Sequence, residues 1–351
     1  MKTKIRYIYI FSLLLFMGFM LNSCEVEFNP NSPWEETTIV YGVLDQDADT
    51  SFIRIQKCFV GEGNYLEFAK VKDSIYYKED ELEVRMYAYY PWDTNLWDTT
   101  LAQKSYDFIY TESYKKPEGG FYSEISPIYY CVTKNNMQSD DGYNPFVYRL
   151  EIRNKKTNNK VTAKTYLVAD YEITKPTGDQ FGFPSVQNQT VLTSGWITQK
   201  NNAKGEMARL FQPSIRFHFL EDDIPVYIDV DYSAKFNPFQ TKETEITYKI
   251  YGDNYIYELE NKIRARGIKE RKFMYGEDFF ELYIYGCTQD LYEYITNNEP
   301  INSLVERPLY TNISNGIGIF GARRTSIKKG FSSCDSRLET KIRSLNIGFN
   351  N

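Results

Sequence analysis

The stretch Leu82 to Tyr90, Leu-Glu-Val-Arg-Met-Tyr-Ala-Tyr-Tyr, limits the fold more than any other. Leu82, Val84, Met86 and Ala88 fall on one side of an extended chain, and Glu83, Arg85, Tyr87 and Tyr89 on the other, which is the period of a strand with one buried face. Similar runs recur. Thr37–Leu44 and Phe52–Phe59 flank a polar Asp45–Ser51 loop as a hairpin would, and Phe146–Asn154 and Val161–Val168 do the same around Lys155–Asn159. With weaker runs near 106–110 and 125–132, about seven short strands precede residue 170, the count of an immunoglobulin-like β-sandwich. The 31 tyrosines and 23 phenylalanines that dominate the apolar inventory suit strands better than helices.

The expected fold is therefore mainly β, with the sandwich over 37–171 and a β-rich C-terminal domain over 190–351. Residues 172–189 hold Pro176, Gly178, Gly182 and Pro184 with little periodicity and read as a linker. In the second domain, strands are expected at 210–220, 226–230, 245–251 and 279–285. Ile256, Leu259 and Ile263 predict a helix over 255–266, with Asp253 as its cap and Gly267 as its stop. A second short helix is expected over 289–297.

The N-terminus carries Lys2, Lys4 and Arg6, then an uncharged run from Tyr7 to Leu21, the basic head and apolar middle of an export signal. The run that ends it, Leu21-Asn-Ser-Cys24, resembles the lipobox of bacterial lipoproteins. That resemblance implies a signal peptide over 1–23 and lipidation of Cys24, so that the partner is a membrane, reached through lipid. About 15 uncharged residues fall short of the ~20 that span a bilayer core. Residues 24–36, with Pro30, Pro33 and four glutamates, read as a tether. Loss of the three signal cations takes the net charge from −6 to −9, and an acidic chain lacks the basic footprint that nucleic acid requires.

Chemical motifs are few. Cys58, Cys131, Cys287 and Cys334 are spaced too widely for a zinc site; they read either as small buried hydrophobes or, if the domains are closed units, as disulfides Cys58–Cys131 and Cys287–Cys334. Asp45, Asp47 and Asp49 have the alternation of a calcium loop, but Thr50 and Gln56 stand where its turn glycine and bidentate glutamate belong. Gly316-Ile-Gly318-Ile-Phe-Gly321 spells a dinucleotide fingerprint outside any βαβ context, so it reads as a glycine-rich strand where backbones pass closely. No metal and no cofactor are expected. His218 is the only histidine and has no nucleophile motif beside it. Acid pairs such as Asp222-Asp223 and Glu277-Asp278 define a glycosidase only by their separation in space. Tyr87, Tyr89, Tyr90, Trp92 and Trp97 cluster around a Pro-Trp-Asp-Thr-Asn-Leu-Trp-Asp loop. They read either as an exposed platform for sugar or peptide faces or as a buried cover over a sheet edge.

The C-terminal third runs Glu-Leu-Tyr-Ile-Tyr-Gly-Cys-Thr288, a tyrosine-spaced helix, then Arg307-Pro308 and Asn312-Ile-Ser-Asn-Gly316-Ile-Gly318-Ile-Phe-Gly321. Together with Tyr148-Arg-Leu-Glu-Ile152, it resembles a family of Bacteroidota lipoproteins whose shared domain has no known function. The resemblance implies a cell-envelope lipoprotein of β architecture, found beside outer-membrane receptor systems, and supplies no catalytic residues. The reading that follows is a non-enzymatic binding or accessory lipoprotein of the outer membrane, on its periplasmic or surface face, serving uptake or adhesion through a receptor or a glycan. A carboxylate-dependent, glycosidase-like hydrolase is the alternative.

Overall fold

The computed structural model describes residues 37–58, 65–112, 126–133, 137, 146–186, 189–197, 205–238, 245–298 and 309–349. The expected signal peptide, Cys24 and the tether lie outside the described residues. The chain is mainly β.

The first half contains β1 (Thr37–Asp45), β2 (Thr50–Cys58), single turns α1 (Tyr65–Phe68) and α2 (Lys72–Ile75), β3 (Leu82–Tyr89), β4 (Lys104–Asp107), β5 (Ile109–Thr111), β6 (Ile128–Val132), β7 (Val147–Asn154) and β8 (Lys160–Tyr166). The second half opens with β9 (Glu172–Lys175), β10 (Gln180–Phe181), β11 (Ser185–Val186), β12 (Gln189–Ile197), β13 (Leu210–Glu221), β14 (Ile224–Asp231), β15 (Lys235–Phe236) and β16 (Glu245–Tyr251). Helix α3 (Gly252–Arg264), β17 (Arg271–Phe273), β18 (Phe280–Cys287), α4 (Gln289–Asn298), β19 (Ile313–Ser314), β20 (Gly316–Phe331), β21 (Ser333–Cys334) and α5 (Ser336–Ser344) complete it.

The first unit is a β-sandwich. The β1–β2 hairpin continues into β6 and β5 as one layer, and β4, β3, β7, β8 and β19 form the other. Val40, Ile53, Ile55 and Tyr129 from the first layer meet Val84, Met86, Tyr148 and Leu150 from the second in a common core. Alternation in the sequence produces this directly, because each strand turns every second side chain inward.

The C-terminal strand returns to that sandwich. β20 pairs parallel with β1 from Thr38↔Gly316 to Asp45↔Arg323, and Phe320 and Ala322 join the first core. Farther along, the same strand pairs antiparallel with β18. One ten-stranded sheet, with eight strands in the order β14-β13-β18-β20-β1-β2-β6-β5 and β15 and β17 also paired to β13, thus serves both units, so residues 37–171 are not a closed sandwich by themselves.

The expected linker also needs correction. β9 pairs with β12 and β10 with β21, and Phe181 is fully buried, stacked on Phe280 at 4.4 Å. Burial of Phe181 and Phe183 makes 172–189 part of the second core despite its loop-like prolines and glycines. That core is lined by Phe217 and Phe219 of β13, Phe280 and Leu282 of β18, and Tyr255, Leu259 and Ile263 of α3. α3 begins at Gly252, so Asp253 lies in its first turn, where its charge suits the helix dipole, and not at the cap. α4 matches the second expected helix. α5 is additional, capped by Asp335, which accepts from Arg337 N at 2.8 Å, with Leu338 and Ile342 facing inward.

Candidate functional site

The loop after β3 is built by its own polar side chains. Tyr90 N donates to Asp93 Oδ2 at 2.9 Å while Asp93 N donates back to the Tyr90 carbonyl at 3.0 Å. Trp97 N donates to Asn95 Oδ1 at 3.2 Å, and Asp98 Oδ1 accepts from Thr100 N at 3.0 Å. The chain then rejoins the sheet through Gln103 N, which donates to the Ala88 carbonyl. Short acceptors holding the backbone a few residues on are how Asp and Asn form turns. The hydroxyl and amide of Thr100 hold the Asp98 carboxyl below its ordinary range.

On this frame Trp92 and Trp97 are 58% and 65% exposed. Each ring is supported from behind. Trp92 stacks on Tyr90 with centroids 4.5 Å apart and planes within 9°, and Tyr90 leans on buried Phe146 at 5.5 Å. Trp97 lies over the Arg149 guanidinium at 5.3 Å. Arg149 is only 3% exposed; it donates to the Leu96 carbonyl at 2.7 Å and to Glu151 Oε2 at 2.7 Å. A desolvated cation against an aromatic face is worth up to about 2 kcal/mol.

Tyr87 and Tyr89, expected as part of the same surface, are buried. The reason is register: Tyr87 stands opposite Arg149 in the β3–β7 ladder, and the guanidinium covers both rings at 5.0 and 6.0 Å. Burial pushes the Tyr89 hydroxyl up, and neither that hydroxyl nor Arg149 Nε has a hydrogen-bond partner among the described residues. The exposed rings of the expected cluster are therefore Trp92 and Trp97, with Tyr90 and Arg149 packed against them. Arg149 was not legible as a site residue, because only cross-strand pairing with Tyr87 reveals what it carries.

The remaining candidates resolve into structure. His218 Nε2 lies 3.1 Å from Glu281 Oε2, which also accepts from Tyr283 at 2.8 Å, while Lys329 meets Glu281 Oε1 at 3.1 Å. Asp222 and Asp223, both with positive φ, form the tight β13–β14 turn. Asp45 pairs with Arg323, and Asp47 accepts from Thr325 N. The Gly316–Gly321 motif lies within β20, which runs on as strand to Phe331, so no helix opens at the motif's end.

Cys58, Cys131, Cys287 and Cys334 are all free, contrary to the expected disulfides. Cys131 pairs with Ser51, at the other end of β2 from Cys58, and the seven residue steps along the strand span about 23 Å. Cys287 and Cys334 are likewise separated along β18, since Cys287 pairs with Arg323 whereas Phe331 is opposite Phe280. A disulfide needs Cα atoms within about 7 Å.

Fold and site together define a mainly β protein with a side-chain-braced aromatic loop at the end of a sandwich. No protein-family model matches the chain, and a comparison with curated proteins finds none that matches.

Proposed function

We propose that this chain is a lipid-anchored envelope protein that binds a glycan through Trp92 and Trp97, without catalysing its cleavage. The observation that supports the reading most is the bracing of two exposed indoles, one on Tyr90 and one on Arg149, in a loop fixed by its own hydrogen bonds. Large rings held in place lose little conformational freedom when they meet a ligand, which is why tryptophan anchors contribute strongly to binding. Thr94, Asn95, Thr99 and Thr100 surround them with exposed hydroxyls and an amide, suited to sugar hydroxyls. Uptake or adhesion beside an outer-membrane receptor accords with the lipobox and with the family resemblance.

The test is a glycan screen with a parallel thermal melt on the Trp92→Ala, Trp97→Ala double variant. Binding should weaken by about 1 kcal/mol or more per ring while the melting temperature stays near that of the parent. A large fall in melting temperature with binding lost only through unfolding would make the rings structural cover.

A further inference from the structure

Where β14, β16 and α3 converge lies a cleft of about 560 Å³, within the ~300–1,000 Å³ usual for small-molecule sites. It belongs to the second unit. Tyrosines from all three neighbourhoods line it: Tyr232 just past β14, Tyr248 and Tyr251 on β16, and Tyr257 on α3. The Tyr232 and Tyr248 rings meet edge-on, 6.4 Å apart at 61°, and form an aromatic corner. Tyr251 and Tyr257 are 42% and 63% exposed, so neither ring is explained by the core.

The polar groups among these rings narrow the ligand chemistry. Asp231 lies 3.7 Å from Lys262 Nζ, and Glu258 shares the lining with Lys249, so the local charges balance. A free cation or anion would gain little from such a field. A wholly apolar ligand would cover the carboxylates and the Asn254 amide without pairing them, which is costly. A neutral sugar meets both conditions: its C–H faces lie on tyrosine rings, and its hydroxyls donate to Glu258 and Asp231 and accept from Asn254. The cleft wall also contains a buried donor, the Tyr232 hydroxyl, with no hydrogen-bond partner among the described residues.

We infer that this cleft is a binding site for a neutral sugar unit. It stands on the cleft alone and does not rest on the Trp92 and Trp97 platform, and the experiment separates the two. The full chain carrying Trp92→Ala and Trp97→Ala, in a zwitterionic detergent, is titrated calorimetrically with cellobiose, maltose and N,N′-diacetylchitobiose. At least one should bind saturably, and adding Tyr251→Ala and Tyr257→Ala should lower that affinity at least tenfold. Glu258→Gln, which preserves shape while removing a charged acceptor, should lower it at least threefold with the melting temperature unchanged. No saturable heat from any of the three sugars overturns the inference. So does affinity indifferent to the tyrosine or Glu258 changes, or tighter binding of glucosamine or galacturonate than of the neutral sugars.

Discussion

Gly318 pairs with Val40 across the parallel β1–β20 ladder with φ +117°, and a Cβ built on it would stand 2.0 Å from the Val40 carbonyl oxygen. Both the backbone conformation and the close approach exclude a side chain. Gly318→Ala should therefore cost about 3 kcal/mol or more. Gly267→Ala, at φ +84° with nothing within 4 Å, should cost only the backbone penalty of about 1–2 kcal/mol. Urea midpoints of the two variants provide the comparison, and equal losses would contradict the close packing of the strands.

This pair also shows what the sequence could and could not disclose. That Gly316–Gly321 is a strand and not a nucleotide loop was legible, since Pro308 and Asn315 precede it and no helix pattern follows. Which strand it approaches was not, because the contact joins residues 278 apart, as in the Arg323–Asp45 pair. Asn312, inside the resembling segment, proves structural as well: its side chain bonds both the amide and the carbonyl of Phe320, at 2.9 and 2.7 Å. Strand alternation correctly placed Val84 and Met86 inward. It failed for Tyr87 and Tyr89, whose supposedly open face is roofed by a side chain from the neighbouring strand.

Glu221 gives the second unit an acid limit. Its carboxylate, 3% exposed, takes Arg266, Lys269 and Arg271, and Arg271 also donates to the Ile347 carbonyl, fastening the chain's end. The Arg266 hydrogen bond foremost, then those of Lys269 and Arg271, lower the Glu221 pKa from 4.5 to about 2. A carboxyl depressed on folding stabilises fully above its unfolded pKa and loses that contribution as pH falls through the folded one. Stability should therefore decline between about pH 4.5 and about 2. Glu221→Gln strands the buried Arg271 and should cost about 3–5 kcal/mol at neutral pH, a difference that shrinks through the same window. Melting temperatures of parent and variant across that range check the sign.

The thiols should be protected by burial and not by pairing. Cys131, Cys287 and Cys334 are each pushed up to about 12 by desolvation, which leaves almost no thiolate at pH 8. Iodoacetamide should leave these three unmodified in the folded chain and alkylate them in urea. Non-reducing peptide mapping should find neither Cys58–Cys131 nor Cys287–Cys334, and recovery of either pair would refute the strand geometry.

Anchoring through Cys24 has its own test. If lipid and not the apolar run holds the protein at the membrane, Cys24→Ala should release a processed chain into the soluble fraction. Fractionation with N-terminal sequencing decides it: a processed Cys24→Ala chain that stays with the membrane would rule out lipid anchoring.

Arg149 supports Trp97 from beneath and holds the Leu96 carbonyl, so its removal should loosen the platform before it unfolds the sandwich. In Arg149→Met, Glu151 keeps Lys160 at 3.3 Å as a partner, and the expected loss is about 2–3 kcal/mol from the missing charged hydrogen bonds. Hydrogen exchange localises the effect. Amides of residues 95–101 should exchange much faster while β7, paired on both sides, remains protected. Glycan affinity should fall, though less far than in Trp97→Ala, because the ring is still present but must be ordered again on binding. If the variant loses stability while exchange in 95–101 is unchanged, Arg149 serves only the sandwich, and the bracing of Trp97 cannot be what makes the loop a binding surface.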